Sequence, residues 1–289
     1  MRTIGTELLR VDGLTVAYGD GESRSIAVAS ASFALSEGER IAIVGESGSG
    51  KTTLALAIAG LLVTPSARIH SEGLHFDGRE LVRGRTKTLP MRTPGMSMVF
   101  QDAMTSLDPV ETIGTQFGAV LRGVGKLKRR ETRERAAEWL RAVGLHDVER
   151  ILGLRPYELS GGMRQRVMVA LAICSRPRLL IADEPTSALD ASVSRDVMDL
   201  LADMTERENA SLLVVSHDIE LCRMYADRII VMYHGEIVDI CRASSIEEDA
   251  TSEYTQALLA CVPTLESSSL PLLPTLDDDF ALVRQEASA

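Results

Sequence analysis

The length, composition and charge of the chain limit the kinds of protein it can be. With 289 residues, of which 45% are hydrophobic and 25% charged, it is long enough to bury a large core and is neither mostly disordered nor collagen-like. A formal net charge of -10 argues against a protein that binds nucleic acid through clustered Lys and Arg, although a local cradle could still hold a single nucleotide.

Segments that would direct or anchor the chain in a membrane are not expected. Residues 1–13 lack the basic start, apolar stretch and cleavage site of a secretory signal. The longest apolar run, residues 54–63, is about half of the ~20 residues that a membrane-spanning helix needs. If the protein serves a membrane, we therefore expect another chain to cross it. Four widely spaced cysteines without a C-x-x-C pair predict neither a zinc site nor an iron–sulfur cluster.

The N-terminal part of the chain predicts three short strands and a helix. Residues 8–18, 26–35 and 40–44 are β-like runs separated by Gly-Asp-Gly and Ser-Glu-Gly turns. The third run ends at a glycine-rich loop. Residues 52–62, rich in Ala and Leu with no breaker before Gly60, then predict a buried helix.

The glycine-rich loop at residues 45–52, called the phosphate loop below, matches G-x-x-x-x-G-K-[ST] between a predicted strand and a predicted helix. Glycines allow successive N–H groups to point inward around a β-phosphate, helped by the positive end of the following helix. Lys51 would add a point charge between the β- and γ-phosphates, and the Thr52 hydroxyl would face Mg²⁺. The predicted ATP-binding residues here are Gly45, Glu46, Ser47, Gly48, Ser49, Gly50, Lys51, Thr52 and Thr53.

The middle and C-terminal parts predict helices, then buried strands, then a tail. Residues about 102–177 are mostly helical in pattern and suggest an inserted helical subdomain, within which the mixed charges of residues 126–135 predict a solvated helix face. Continuous apolar runs at 179–182, 212–215 and 228–232 are typical of strands buried on both faces of a parallel sheet. We expect one ATPase domain over residues 1–262 and a weakly ordered tail over 263–289.

Two adjacent carboxylates end the first of these apolar runs. Ligands gather at the carboxyl ends of strands in open α/β sheets, and neighbouring strand residues point to opposite faces. We assign Asp183 to Mg²⁺ and Glu184 to the attacking water, because phosphoryl transfer to water needs a held metal and a base that orients the nucleophile. The alternative is that these acids, next to Pro185, form a helix N-cap.

The phosphate loop alone would fit a GTPase, a kinase or a helicase, and the sequence Leu-Ser-Gly-Gly-Met-Arg-Gln at residues 159–165 separates these possibilities. It resembles the signature of ABC ATPases and lies between the two nucleotide motifs, as in that family; the resemblance extends from residue 8 to about 262. It implies a P-loop NTPase ABC cassette of the α/β class, with a mixed or parallel sheet core, an N-terminal antiparallel β subdomain and the inserted helical subdomain.

Four further residues resemble functional positions of ABC ATPases. Tyr18 resembles the aromatic residue that stacks on adenine, with packing in a strand as the alternative. Gln101 resembles the glutamine that contacts Mg²⁺ and water and relays movement to the membrane partner. Asp190 resembles the D-loop acid that crosses the dimer interface. His217 resembles the switch histidine that senses the γ-phosphate, with a purely structural histidine as the alternative.

The same resemblance implies a mechanism that needs two chains. The signature turn, defined here as Ser160, Gly161 and Gly162, would cap the γ-phosphate of an ATP held by the phosphate loop of a second ATPase subunit. ATP would close the dimer and hydrolysis would release it, while the helical subdomain carries the motion to two transmembrane permease subunits. The predicted catalytic residues are Glu184, His217 and Gln101; the predicted metal ligands are Thr52, Gln101 and Asp183.

Several stretches are most similar to the dipeptide, oligopeptide and nickel importers of bacteria: residues 45–50, 100–109, 160–168 and 254–259. Ser252 and Glu253 replace the His-Pro pair of that subfamily, and its cysteine-rich extension is missing. The resemblance implies a peripheral ATPase on the cytoplasmic face of the inner membrane that serves a peptide importer with an extracytoplasmic binding protein. A nickel or metallophore importer, or a soluble ABC ATPase in translation or DNA repair, is the alternative.

Overall fold

A computed structural model describes residues 5–19, 24–62, 64–86, 93–101, 106–125, 127–187 and 190–262, and two short paired strands at Thr275–Leu276 and Leu282–Val283. Most of the predicted tail, residues 263–289, lies outside the described residues. Within the described part of the chain, no helix combines the length and the apolar character needed to cross a membrane.

An antiparallel sheet of four strands forms the N-terminal part of the fold, in the order β2-β1-β4-β5. Apolar side chains of β1 and β2, such as Leu9, Val11 and Val16 of β1 and Phe33 and Leu35 of β2, are buried in one hydrophobic core. The strands are β1 (Glu7–Tyr18), β2 (Ser25–Ser36), β4 (Ala67–Phe76) and β5 (Arg79–Thr86).

The central sheet has six strands in the order β10-β9-β3-β8-β7-β6. All its neighbouring pairs are parallel except β9 with β10. Every residue of β7 and β8 is buried, as expected for strands covered on both faces. The strands are β3 (Arg40–Val44), β6 (Met96–Val99), β7 (Leu179–Asp183), β8 (Ser211–Ser216), β9 (Arg228–Tyr233) and β10 (Glu236–Arg242).

Helices cover the central sheet, and four of them lie between β6 and β7 in the chain. This helical insert begins at Ile113 and ends at Ile173, within the predicted bounds of 102–177. The helices are α1 (Lys51–Ala59), α2 (Ile113–Val124), α3 (Arg129–Ala142), α4 (Val148–Gly153), α5 (Gly161–Ile173), α6 (Ala191–Arg207), α7 (Ile219–Tyr225), α8 (Ile246–Asp249) and α9 (Glu253–Ala260), with 3-10 turns at Pro156–Glu158 and Ala243–Ser245.

Two hydrophobic cores lie on opposite faces of the central sheet, because side chains alternate along each strand. In β8, for example, Leu212 and Val214 belong to the core shared with the helical insert. Leu213 and Val215 belong to the core shared with α1 and the antiparallel sheet. Because β3, β7 and β8 are parallel, their carboxyl ends lie at the same edge of the sheet, and the candidate site lies at that edge.

The predicted elements differ from the structure mainly at their ends and in omitted strands. The helix predicted over 52–62 ends at Ala59, because Gly60 adopts a left-handed conformation (φ 71°) and its N–H donates to the carbonyls of Ala57 and Leu56. Strands β4, β5, β6 and β10 were absent from the prediction, while the six predicted strands match the structure to within two residues.

Candidate nucleotide site

The phosphate loop connects β3 to α1, and two of its glycines are required by close packing. A Cβ atom on Gly45 would lie 2.1 Å from the carbonyl oxygen of Met232, and one on Gly50 would lie 2.1 Å from that of Ala27. Both glycines also have positive φ, 150° and 95°. The loop is thus packed closely against the backbone of Met232 and Ala27, and the first N–H groups of α1 have no partner within the helix.

Lys51 carries a buried cation at the first position of α1, where only 4% of the residue is exposed. Its Nζ donates hydrogen bonds to the carbonyl oxygens of Gly45 (2.8 Å) and Glu46 (2.7 Å). Burial lowers the pKa of Lys51, and the charges of Glu184 and Asp183 oppose that shift. The ammonium group is therefore fixed against its own loop, next to two carboxylates.

Asp183, at the end of β7, and Thr52, at the end of the phosphate loop, form a pair of oxygen donors. The Thr52 hydroxyl donates to Oδ1 of Asp183 at 2.9 Å. Burial raises the pKa of Asp183, and this effect outweighs the hydrogen bond from Thr52. Gln101 follows β6, and its Nε2 donates to the Ser187 hydroxyl at 3.1 Å; Gln101, Ser187 and Thr52 line a common cleft.

Glu184 follows Asp183 and makes a separate contact with His217. Nδ1 of His217 lies 2.9 Å from Oε2 of Glu184, and an ionised carboxylate accepts this hydrogen bond. Glu184 adopts a left-handed backbone conformation (φ 47°), which costs a residue with a side chain about 1–3 kcal/mol. Its N–H donates to the carbonyl of Val215 at 2.8 Å, so β8 holds the strained residue in place.

The alternative role for these two acids, a helix N-cap, is not realised. Residues 184–187 form a bend and a turn. The next helix in the chain, α6, begins at Ala191 and is capped by Asp190. The two carboxylates instead take different partners on different sides of the strand end.

A cleft of about 710 Å³ brings most of the predicted site residues together. The phosphate loop forms one side and Glu184, His217 and Gln101 form the other. Three residues that sequence reasoning did not assign to the site also line it, namely Ala27, Ser187 and Leu258. Its lining also includes Gly45, Glu46, Ser47, Gly48, Gly50, Lys51, Thr52 and Thr53.

Tyr18 and Asp190 lie outside the lining of this cleft. The Tyr18 hydroxyl, at the end of β1, is 3.4 Å from the hydroxyl of Thr53, which does line it. The Asp190 carboxylate accepts hydrogen bonds from the N–H groups of Val193 and Ser192 at the start of α6, and these bonds lower its pKa. Residues 188–189, next to Asp190, lie outside the described residues.

The signature turn is exposed and also lies outside the lining of the cleft. Ser160 caps α5, where its hydroxyl accepts from the N–H of Met163 at 3.3 Å. A Cβ atom built on Gly161 or Gly162 would have no described atom within 4 Å. Nothing in the described part of this chain therefore requires glycine at these two positions.

Comparison with known proteins assigns this arrangement to a family. A sequence model described as "ABC transporter" matches residues 28–187, which is more than half of the chain. The chain belongs to the ABC transporter family. This confirms the prediction of an ABC ATPase, which rested on the phosphate loop together with the signature turn.

Curated ABC relatives of the chain carry transport names. The chain is 41% identical over 257 residues to the dipeptide transport ATP-binding protein DppD of Escherichia coli, covering 89% of this chain and 78% of DppD. It is 39% identical to the oligopeptide transport ATP-binding protein OppD of Bacillus subtilis, covering 91% and 74%. It is 41% identical to the peptidoglycan transport ATP-binding protein YejF of Agrobacterium fabrum, covering 94% of this chain and only half of YejF.

Solved ABC structures have the same fold. CbiO1 from Clostridium perfringens, part of the ABC transporter complex cbiONQ, aligns with a TM-score of 0.67 at 28% identity, covering 83% of this chain and 90% of CbiO1. The ATP-binding cassette MJ0796, as a dimer bound to ADP and Pi, aligns with a TM-score of 0.64 at 28% identity, covering 82% and 99%. The predicted fold class, a mixed α/β cassette with an antiparallel β part and inserted helices, is confirmed.

Proposed function

We propose that this chain is the ATP-hydrolysing subunit of a bacterial ABC importer for dipeptides or oligopeptides. The observation that supports the ATP site most directly is that Lys51, Thr52 and the Glu184–His217 pair line one cleft, with Asp183 hydrogen-bonded to Thr52. The peptide substrate is supported by the names of DppD and OppD.

ATP would bind with its phosphates against the phosphate loop. The N–H groups at the start of α1 and the positive end of that helix favour an anion. The buried Lys51 ammonium is close enough to the loop to contact the β- and γ-phosphate oxygens, and phosphate oxygens would be stronger acceptors for it than the loop carbonyls. Tyr18 is proposed to stack on the adenine ring.

The residues present fit a magnesium ion. The Thr52 hydroxyl, the Asp183 carboxylate and the amide oxygen of Gln101 are all oxygen donors, which Mg²⁺ prefers, and few protein ligands are usual when the ion also contacts phosphates. When bound, Mg²⁺ would neutralise charge that develops on the phosphate oxygens. Burial of Asp183 favours a cationic neighbour, because the carboxylate there is poorly solvated.

Glu184 is proposed as the base for the attacking water. The water oxygen would form a bond to the γ-phosphorus, its proton would pass to the Glu184 carboxylate, and the bond to the ADP oxygen would break. His217 would hold the carboxylate in line through the 2.9 Å contact. The backbone strain at Glu184 fits a residue whose position is set by function.

A second ATPase subunit is proposed to complete the site. The signature turn is exposed, does not require glycine for its own packing and lies at a helix start, where the first N–H groups have no partner within the helix, so it could meet a γ-phosphate bound to another subunit. Asp190 would contact that subunit across the dimer interface. The helical insert, which includes the signature turn, would transmit closure and opening to the membrane partners.

The remaining partners follow from the importer assignment. We propose two transmembrane permease subunits and an extracytoplasmic substrate-binding protein, with this chain peripheral at the cytoplasmic face of the inner membrane. No role for nucleic acid is proposed, in keeping with the net charge of -10.

Purification of the chain with its permease subunits tests this proposal. The complex, reconstituted in liposomes with its binding protein, should hydrolyse ATP faster and take up label when given dipeptides or short oligopeptides. The same complex carrying Glu184→Gln is the matched control and should do neither. Stimulation by a nickel–histidine complex alone would replace peptide by metal as the substrate, and recovery with ribosomes or DNA but no membrane protein would refute the transporter assignment.

A further inference from the structure

The C-terminal helix α9 lies directly against the start of the phosphate loop. The hydroxyl oxygen of Tyr254 accepts a hydrogen bond from the backbone N–H of Glu46 at 3.0 Å. Tyr254 is only 2% exposed, and its ring packs on that of Tyr233 with 4.4 Å between centroids. Burial and the contact with Tyr233 therefore fix the position of the tyrosine hydroxyl that bonds the loop.

One face of α9 is directed at the nucleotide cleft. Tyr254, Leu258 and Cys261 are spaced by four and three residues, so they lie on the same side of the helix. Leu258 lines the cleft beside the phosphate loop. The pKa of Cys261 is raised by burial and further by the charge of Glu46, as expected for a thiol on the face that approaches the loop.

The segment that leads into α9 is anchored to the central sheet. Asp239 of β10 is 7% exposed and accepts hydrogen bonds from the Thr251 hydroxyl at 2.7 Å and from the N–H of Ser252 at 2.9 Å. Ser252 immediately precedes the helix. Because the start of α9 is anchored to the central sheet, Tyr254 has a fixed position from which to bond the phosphate loop.

Both backbone polar groups of Glu46 are consequently used inside the protein. Its N–H donates to Tyr254, and its carbonyl oxygen accepts from Lys51 at 2.7 Å. Glu46 stays a predicted ATP-binding residue that lines the cleft; because its amide is bonded to Tyr254, the N–H groups that follow it in the loop are left for the phosphates.

We infer that Tyr254 is a positioning residue of the ATP site, which fixes the entrance of the phosphate loop through the amide of Glu46. The inference depends on the proposed function, because it assumes that the loop binds the phosphates of ATP. Without the phenol oxygen, the Glu46 N–H would lose its acceptor and the loop would be less ordered before ATP binds. Part of the entropy cost of ordering the loop would then reduce the affinity for ATP. The hydroxyl thus acts on nucleotide affinity, through the loop, and not on the chemical step.

Tyr254→Phe tests the inference, because it removes the hydroxyl and keeps the ring on Tyr233. In the purified transporter we expect KM and Kd for Mg-ATP to rise about three- to tenfold, as for the loss of one hydrogen bond, while kcat stays within about twofold. Tyr225→Phe is the matched control: it removes a tyrosine hydroxyl that bonds Asp199 at 2.8 Å and does not line the nucleotide cleft. It should leave KM, Kd and kcat unchanged.

Lys51→Ala, assayed in parallel, separates failure of the inference from failure of the proposed function. If Lys51→Ala loses ATP affinity while Tyr254→Phe binds ATP as tightly as the wild type, the positioning role is wrong and the ATP site stands. If the wild-type transporter itself does not bind Mg-ATP, both are wrong.

Hydrogen exchange on the wild-type protein gives an answer even if Tyr254→Phe does not fold. The Glu46 amide should exchange at least about tenfold more slowly than the amide of Gly48, which lies at the exposed tip of the loop. Equal exchange at the two amides would overturn the inference.

Discussion

The phosphate loop and the signature turn both place glycines at the start of a helix, but the space around these glycines differs. Gly45 and Gly50 face backbone carbonyls that leave no room for a Cβ atom, whereas one added to Gly161 or Gly162 would meet no described atom within 4 Å. The loop glycines are thus required by this fold. The signature glycines satisfy no packing need of their own chain.

This difference separates a motif that forms a cleft within its own chain from one that lies on the surface. The phosphate loop, together with the ends of β7 and β8, forms a cleft that is built within one chain. The signature turn presents a capped but exposed helix start to the outside. An exposed glycine turn that its own chain does not require for packing fits the proposed role of completing the site of a second subunit.

Glu184→Gln should have the largest effect and leaves the cleft otherwise intact. Glutamine keeps the size of the side chain but cannot take a proton from water, so kcat should fall by about 10²–10⁴-fold. The Kd for Mg-ATP, measured by fluorescence titration, should remain close to the wild-type value because the phosphate loop is unchanged. Hydrolysis at the wild-type rate would exclude Glu184 as the base.

Lys51→Ala should weaken the binding of Mg-ATP to the phosphate loop, the motif that is built within one chain. Loss of charge-assisted hydrogen bonds to phosphate should raise the Kd for Mg-ATP about 10- to 100-fold. Isothermal titration calorimetry measures this directly, with Lys128→Ala as a control at an exposed lysine outside the cleft. Unaltered ATP affinity would refute a phosphate contact by Lys51.

Gly50→Ala and Gly162→Ala make the same chemical change at the two helix starts. Gly50→Ala should lower the free energy of unfolding by at least about 1–3 kcal/mol, because its φ is positive and the Ala27 carbonyl blocks the Cβ. Gly162→Ala should leave it unchanged or raise it by up to about 1 kcal/mol, since alanine favours helix. Denaturant unfolding compares the two.

The same Gly162→Ala variant should nevertheless lose ATPase activity, about tenfold or more, if the turn contacts a γ-phosphate in another subunit. A variant that is as stable and as active as the wild type would show that the exposed turn has no such partner.

Asp239→Asn should have the smallest effect, on the anchor of α9. Burial raises the pKa of Asp239, but hydrogen bonds including those from Thr251 and Ser252 outweigh it, so the folded pKa lies below its usual 3.8. The ionised group therefore stabilises the fold above pH 3.8, and that contribution disappears as pH falls through the lowered pKa. The variant should lose about 1 kcal/mol at pH 7. Thermal unfolding from pH 7 to pH 3 should show the difference shrinking; a constant difference would contradict it.

Much of the fold could be predicted because its central strands are continuous apolar runs beside a recognisable loop. Strand β4 was missed because Ser71 and Gly73 interrupt the inward-facing positions that Ala67 and Ile69 begin. Strand β5 is rich in arginine, which hides its pairing with β4. In β10 the buried position 239 is an aspartate, which is acceptable only because the distant Thr251 and Ser252 bond it.

The site was predictable where chemistry depends on neighbours in sequence and unpredictable where it depends on distant ones. The phosphate loop, Glu184 and His217 each follow a strand, and the parallel sheet brings them to one cleft. The contact between Tyr254 and Glu46 joins residues 208 positions apart, and no local pattern marks it. Family resemblance drew attention to the stretch around Tyr254 without giving it a role.

Hydrogen exchange in the assembled transporter carrying Glu184→Gln tests most directly whether two subunits share one ATP. Addition of Mg-ATP should protect two separate segments, the phosphate loop and the peptide that contains Ser160, Gly161 and Gly162, although the second lies outside the cleft of its own chain. Protection confined to the phosphate loop, with the signature turn exchanging as it does without nucleotide, would contradict the account.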